Sequence, residues 1–190
     1  MYNLEKSRQL NNWNIEIKLH KKRGLVVFDG IEYFIDEDSK LHHGFKKIDD
    51  KWYFFDLDEG DMLRDQWYKM DNHWYCFGKD GAMLTGEHEM GGRQFYLACN
   101  GVMVTGLCNI GKGVHKYFHP VKGYSLSGWI YDGDKVYHAN PSGVLDKSFT
   151  EIDGIMYFFD PYTFNSVKGK RIDDLHIADS DGKISKKFNI

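Results

Sequence analysis

Proline and cysteine are both scarce in this sequence, with three residues of each in a chain of 190. An odd number of cysteines, Cys76, Cys99 and Cys108, cannot pair completely within one chain, and their spacing matches no zinc site. We therefore expect reduced thiols and no bound metal. Long hydrophobic runs are also missing, because residues 1–20 lack the apolar stretch of a secretory signal and no later segment is long enough to cross a bilayer. We expect no membrane insertion.

An excess of one charge is absent as well. The formal net charge is only -3, whereas a protein that binds duplex nucleic acid normally has a clustered excess of lysine and arginine. The sequence has no nucleophile elbow, no phosphate-cradling glycine loop and no HExxH motif. His115 and His119 have the spacing of zinc ligands on a helix, but they fall in a predicted strand, which would hold them ~13 Å apart. We therefore predict a protein that is not an enzyme, needs no cofactor and does not bind nucleic acid.

Aromatic residues and glycine are abundant instead. Aromatics make up 16% of the chain and glycines number 20, a balance typical of short strands joined by tight turns. An apolar residue followed by one or two turn residues recurs every ~20 residues, a spacing typical of solenoid repeats. The copies of this motif are Phe28-Asp29-Gly30, Ile48-Asp49-Asp50, Met70-Asp71-Asn72, Met90-Gly91-Gly92, Ile110-Gly111, Tyr131-Asp132-Gly133, Ile152-Asp153-Gly154 and Ile172-Asp173-Asp174.

Each copy of the motif predicts a β-hairpin. Asp-Gly, Gly-Gly and Asp-Asn pairs supply the positive φ angles of a two-residue type I′ turn, and an aromatic segment such as residues 52–55 follows as the return strand. One hairpin is at best marginally stable in water, so neighbouring hairpins must stack on one another. The sequence therefore predicts an all-β fold, a β-solenoid of about eight stacked hairpin repeats of roughly 20 residues.

The two ends of such a stack need caps. In residues 1–23 the apolar side chains of Trp13, Ile15, Ile17 and Leu19 alternate with polar ones, which predicts an N-terminal capping strand. We place the hairpin repeats in residues 24–168. Residues 169–190 lack an aromatic return strand and carry several lysines, which is typical of a degenerate C-terminal capping repeat.

Three segments resemble the cell-wall-binding repeats of choline-binding proteins. They are GFKKIDDKWYFFDLDEG at residues 44–60, WYKMDNHWYCFGKDGAMLTG at residues 67–86 and FYLACNGVMVTG at residues 95–106. The segment IDGIMYFFDPYTF at residues 152–164 resembles the related repeats of clostridial toxins and glucan-binding proteins. The resemblance implies shallow pockets between consecutive hairpins that bind choline on teichoic acids, or carbohydrate. Electron-rich ring faces attract a quaternary ammonium without a counter-charge.

Carried over position by position, the resemblance implies one nearly complete pocket, formed by Trp67, Trp74, Tyr96 and Met103. A second pocket would have Phe45 and Trp52 as walls and Met83 as its base, with Cys76 in place of the third aromatic residue. Trp129 and Tyr137 keep part of the aromatic surface further along the chain. In three other repeats the tryptophan of the pattern is replaced, by Gln94, Lys135 and Met156. For every ring, packing between hairpins is the alternative to ligand contact.

Two functions fit these features. The first is a non-catalytic binding module whose partner is choline-bearing teichoic acid or cell-wall glycan. The alternative is an intracellular protein-binding protein, for example a phage-encoded inhibitor or adaptor, with a host protein as its partner, because repeat stacks often present extended binding surfaces. Without a signal sequence, we expect the chain to be cytoplasmic as synthesised, or released by lysis to act at the cell wall.

Overall fold

The fold is known from a computed structural model that describes residues 22–186. The predicted capping strand in residues 1–23 therefore lies almost wholly outside the described residues. Every regular element within residues 22–186 is a β-strand, which confirms the all-β prediction. The strands are β1 Gly24–Phe28, β2 Ile31–Ile35, β3 Gly44–Ile48, β4 Lys51–Phe55, β5 Gln66–Met70, β6 His73–Phe77, β7 Gly86–Met90, β8 Arg93–Leu97, β9 Gly106–Asn109, β10 His115–Phe118, β11 Gly128–Asp132, β12 Lys135–Ala139, β13 Ser148–Ile152, β14 Ile155–Phe159, β15 His176–Ala178 and β16 Ile184–Lys186.

Each strand pairs only with its neighbour in the chain, so the described residues form eight separate two-stranded sheets. In β3 and β4, for example, Ile48 lies opposite Lys51, and the Asp49-Asp50 turn between them has φ angles of 46° and 66°. Positive φ at both turn residues is the geometry of a type I′ turn. The same two-residue turn with two positive φ angles occurs at Asp29-Gly30, Asp71-Asn72, Gly91-Gly92 and Asp153-Gly154. Five of the predicted hairpin tips are thereby confirmed.

The remaining three tips differ from the prediction. Asn109 pairs with His115, so the hairpin of β9 and β10 closes with a five-residue loop instead of a tight Ile110-Gly111 turn. In the next hairpin Asp132 pairs with Lys135, which moves the turn one residue beyond the predicted position. Residues 172–174 lie in a longer loop before β15, which is closed by an antiparallel bridge between Arg171 and Ile177 and not by a tight turn between two strands.

The chain divides into two compact units. One comprises residues up to Gly86 together with Leu97–Met103, and the other comprises Glu87–Tyr96 and the residues from Val104 onward. Within the first unit, the backbone N–H of Met83 donates to the carbonyl of Trp52 at 2.7 Å, and Met62 and Met103 make the same bond to Glu32 and Trp74. These bonds join one hairpin to the next, so the hairpins stack as predicted.

The same hydrogen bond repeats in the second unit. Its donor and acceptor pairs are Ser125 with Gln94 at 2.7 Å, Leu145 with His115 at 2.9 Å and Ser166 with Val136 at 2.7 Å. Each donor lies in the segment after a hairpin, and each acceptor lies in the return strand of the preceding hairpin. Because strand edges are otherwise unpaired, these bonds satisfy backbone groups that burial would leave without partners.

The most deeply buried side chains occupy one position of the repeat, the last residue of each return strand. Seven such residues are at most 1% exposed: Ile35, Phe55, Phe77, Leu97, Phe118, Ala139 and Phe159. Each also forms a bridge with the segment that follows its hairpin, as Phe77 does with Met83. Burial of a phenylalanine side chain is worth about 1.5–3 kcal/mol. The stack is therefore held together by a line of small hydrophobic contacts, one per hairpin.

Residues 169–186 contain a short hairpin of two three-residue strands, β15 and β16. Its link to the preceding hairpin is a bridge between Tyr157 and Lys183. That this segment caps the stack stays a prediction. No helix that could span a bilayer occurs within residues 22–186.

Candidate ligand-binding pockets

Three aromatic rings surround a cavity of about 280 Å³ in the first unit. The lining side chains are those of Phe45, Trp52, Tyr75, Met83 and Asn100. The ring centroids of Phe45 and Trp52 are 6.4 Å apart with an interplanar angle of 87°, and those of Phe45 and Tyr75 are 5.2 Å apart at 64°. We call this cavity the aromatic pocket. Edge-to-face arrangements of this kind leave ring faces available to a ligand.

The wall rings come from one hairpin. Phe45 lies in β3 opposite Phe54, a fully buried residue whose ring centroid is 4.9 Å away. Trp52 lies in β4 and is 43% exposed. The alternation of side chains along β4 places Trp52 and Phe54 on the same face. The wall is therefore anchored to the core by Phe45 and open to solvent at Trp52.

Met83 forms the floor of the pocket. The loop of the next repeat, at Gly101, comes very close to its side chain. A Cβ atom on Gly101 would lie 2.2 Å from Sδ of Met83, so any larger residue there would force the Met83 side chain to move. Gly101 also has a φ of 81°, which favours glycine over other residues. Phe45, Trp52 and Met83, which the resemblance groups in one pocket, all line this cavity, and ligand contact by them stays a prediction.

The third ring of the aromatic pocket is Tyr75, which sequence reasoning missed. The expectation that Cys76 stands in the place of the third ring is wrong, because Cys76 is only 4% exposed and Tyr75 lines the cavity. Successive side chains of a strand point to opposite faces, so a shift of one residue exchanges the two faces. Burial raises the pKa of the Cys76 thiol to about 11, with a further contribution from Asp65. Cys76 is a core residue.

The residues of the other predicted pocket are distributed over both units. Trp67 is half-buried opposite Cys76, and Trp74 is 38% exposed with the ammonium of Lys69 6.0 Å from its ring centroid. Met103 is half-buried in the first unit, whereas Tyr96 belongs to the second unit, where its ring lies 6.3 Å from that of Phe118. Ligand contact by these four residues stays a prediction.

Trp129 and Tyr137 lie in the second unit. Trp129 is half-buried and packs edge-on against Tyr157, with centroids 5.0 Å apart at 73°. This contact is equivalent to that between Phe45 and Tyr75, since Tyr157 and Tyr75 both stand two residues before the end of a return strand. Tyr137 is 2% exposed and packs against other buried side chains, so the structure gives it a packing role.

One equivalence drawn from the sequence needs correction. The sequence pattern placed Lys135 at the position equivalent to Trp52. In the structure that position belongs to Val136, which pairs with Tyr131 as Trp52 pairs with Lys47. The shorter side chain of Val136 leaves Trp129 without a second wall ring from its own hairpin. Within residues 22–186, no group of three or more His, Cys, Asp or Glu side chains is placed to hold a metal ion.

Two segments of the sequence match a family model of the cell wall binding repeat, residues 43–62 and 127–145. The first segment contains Phe45 and Trp52, and the second contains Trp129. These two segments are cell wall binding repeats. In both matched segments the repeat consists of a hairpin and the loop after it, as the structure shows. No curated protein sequence matches the chain.

Solved structures of choline-binding proteins share this fold. Choline binding protein F of Streptococcus pneumoniae is 25% identical, with a TM-score of 0.73, and the match covers 87% of this chain and 58% of that protein. CbpJ of the same organism gives a TM-score of 0.74 at 22% identity, covering 81% and 56%. The choline-binding domain of CbpL gives 0.67 at 20% identity, covering 86% and 87%. The chain thus spans just over half the length of choline binding protein F and CbpJ.

Proposed function

We propose that this chain is a non-catalytic module that binds a cell-wall polymer through a quaternary ammonium group, such as the choline of a teichoic acid. The observation that carries the proposal is the group of three rings, Phe45, Trp52 and Tyr75, around one small cavity. Choline binding protein F, whose fold is similar, has been solved in the presence of a peptidoglycan analogue. Both findings support a partner in the cell wall.

The chemistry of the aromatic pocket suits a quaternary ammonium. Aromatic faces attract a cation by about 0.5–2 kcal/mol per contact, and methyl groups on nitrogen prevent the strong hydration that a primary ammonium would keep. No carboxylate from residues 22–186 lines the cavity, whose other side chains in that range are Met83 and the amide of Asn100. A cavity of 280 Å³ is at the small end of the range for ligand sites, which fits a single head group.

Titration calorimetry of the full chain tests this proposal with three matched ligands: choline, the uncharged isostere 3,3-dimethyl-1-butanol and ethanolamine. We expect choline to bind more tightly than both, because only choline combines a positive charge with methyl groups. Trp52→Ala should weaken choline binding roughly tenfold or more, since it removes one ring face. Tyr131→Ala removes a ring that is 72% exposed outside the pocket and should change nothing. Equal binding of choline and its uncharged isostere would overturn the proposal.

The rival hypothesis, a protein-binding role with a host protein as partner, receives no support from the comparisons. A module that binds a wall polymer acts at the cell wall, and we propose that location for this one.

A further inference from the structure

A second cavity lies in the second unit at the same place in the repeat as the aromatic pocket. Its volume is about 670 Å³, compared with about 280 Å³ for the aromatic pocket. The side chains at equivalent positions are polar. We call this cavity the polar pocket and define it by Glu87, Gln94, Lys116, Ser125 and Ser142.

The backbone shows which residues of the polar pocket correspond to the tryptophan wall and the methionine floor of the aromatic pocket. The N–H of Ser125 donates to the carbonyl of Gln94 at 2.7 Å, as that of Met83 does to Trp52. A Cβ atom on Gly143 would lie 2.3 Å from Oγ of Ser125, as a Cβ on Gly101 would meet Met83. Gln94 therefore replaces the tryptophan wall, and Ser125 replaces the methionine floor.

The other two positions follow from the strand ends. Glu87 comes directly after the glycine that begins β7, where Phe45 follows the glycine that begins β3. Lys116 stands two residues before the end of β10, where Tyr75 stands two residues before the end of β6. All three rings of the aromatic pocket are thus replaced by polar or charged side chains. The shorter serine in place of methionine is consistent with the larger cavity.

An ion pair forms part of the lining of the polar pocket. Nζ of Lys116 lies 2.7 Å from Oε1 of Glu87, and the side chain of Lys116 is only 10% exposed. A buried ammonium is costly without a partner, so the pair holds both groups in a fixed place. Each group keeps further hydrogen-bonding capacity, because an ammonium has three donors and a carboxylate has two acceptor oxygens. The two charges cancel, which makes this wall of the pocket neutral and rich in both donors and acceptors.

The polar pocket lacks the ring faces that a quaternary ammonium needs. Among the residues that the structure describes, its one aromatic lining residue is Tyr124, and the guanidinium of Arg93 lies over that ring, 4.2 Å from its centroid. Oγ of Ser125 is buried without a hydrogen-bond partner among the described residues, at a position where the aromatic pocket has an apolar side chain. A floor of this kind does not favour methyl groups.

We propose that the polar pocket binds a neutral, hydroxyl-rich ligand, namely a sugar ring of a glycan. A sugar hydroxyl donates one hydrogen bond and accepts others, and so it matches a lining that offers both. Gln94 contributes an amide, and Ser142 an exposed hydroxyl at the rim. A larger volume than that of the aromatic pocket suits a ring with its substituents. This proposal does not depend on the aromatic pocket binding a cation.

An NMR titration of the full-length, isotopically labelled chain tests the proposal, with an N-acetylglucosamine tetrasaccharide as the probe. We expect a dissociation constant on the order of 1 mM, as for a small ligand held by a few hydrogen bonds, and shifts of the Gln94 side-chain amide and the Gly143 backbone amide. Gln94→Ala changes an exposed side chain and should weaken binding about fivefold. The control, Gln66→Ala, removes an exposed glutamine from β5 in the first unit and should leave binding unchanged.

Parallel titrations keep this proposal distinct from the proposed function. Trp52→Ala should weaken the choline response and leave the saccharide response intact, whereas Gln94→Ala should weaken the saccharide response and leave the choline response intact. Absence of saccharide-induced shifts at Gln94 and Gly143, or shifts that persist with unchanged affinity in Gln94→Ala, would overturn the assignment. Shifts at the same residues with choline or inorganic phosphate, and none with the saccharide, would also refute it.

Discussion

The backbone N–H of Met83 donates a 2.7 Å hydrogen bond to the carbonyl of Trp52, the residue whose ring forms a wall of the aromatic pocket. One bond therefore fixes two things, the contact between consecutive hairpins and the distance between the floor and the wall of the pocket. Because the same bond recurs along both units, each hairpin junction is a potential pocket. The side chains at the junction decide what it holds.

Gly101→Ala should damage both stability and ligand binding. The φ of 81° costs an alanine about 1–2 kcal/mol, and the new Cβ would also displace Met83 from the floor. Gly86→Ala is a matched control, because Gly86 has a φ of 82° but a Cβ atom added there would meet no other atom within 4 Å. Urea denaturation should show a larger loss of unfolding free energy for Gly101→Ala, with weaker choline binding for that variant alone. Equal effects of the two substitutions would show that Met83 does not depend on Gly101.

The three thiols should differ in reactivity. Cys99 is exposed, Cys76 is buried with its pKa raised by burial to about 11, and burial also raises the pKa of the Cys108 thiol. Because the thiolate is the reactive form, we expect fast labelling of Cys99 by a disulfide reagent at about pH 8, slow labelling of Cys108 and none of Cys76. The absorbance of the released thiol measures this. Denaturant should make all three react, and Cys99→Ser should remove the fast phase. Fast labelling of Cys76 in the folded chain would contradict its place in the core.

Asp36 should make the first unit sensitive to acid. Burial raises its pKa, but hydrogen bonds from Lys46 at 2.7 Å and His42 at 2.8 Å outweigh burial and lower the pKa overall. A lowered pKa contributes stability above the unfolded value of about 3.9, and this contribution is lost as the pH falls through the folded value. Asp36→Asn should therefore destabilise the protein at neutral pH, with a penalty that shrinks below about pH 4.

Urea denaturation at several pH values measures this penalty. Asp38→Asn is the control, because that carboxylate is 59% exposed and its distance to the ammonium of Lys40 is longer, at 3.3 Å. A surface pair of this kind contributes about 0–1 kcal/mol. A penalty for Asp36→Asn that stays constant from neutral to acidic pH would show that its charge does not matter.

Local patterns revealed the repeat, but they could not place every side chain. Five hairpin tips were marked correctly by their turn pairs, since positive φ is a property of the turn residues themselves. These pairs are Asp29-Gly30, Asp49-Asp50, Asp71-Asn72, Gly91-Gly92 and Asp153-Gly154. Tyr75 was missed because the face that a strand residue occupies depends on pairing register, and one residue of error reverses it. From the sequence, the junction at Gln94 showed only that glutamine stands where the repeat pattern has tryptophan. Only the structure shows that its substitutions combine into a single polar cavity.

The most direct test of the account is an NMR measurement of contacts between choline and the full-length protein. Intermolecular nuclear Overhauser effects should connect the choline methyl protons to the ring protons of Phe45, Trp52 and Tyr75 and to the methyl group of Met83. Choline that binds without contacts to these four side chains, or that contacts only other rings such as Trp129, would contradict the assignment of the aromatic pocket.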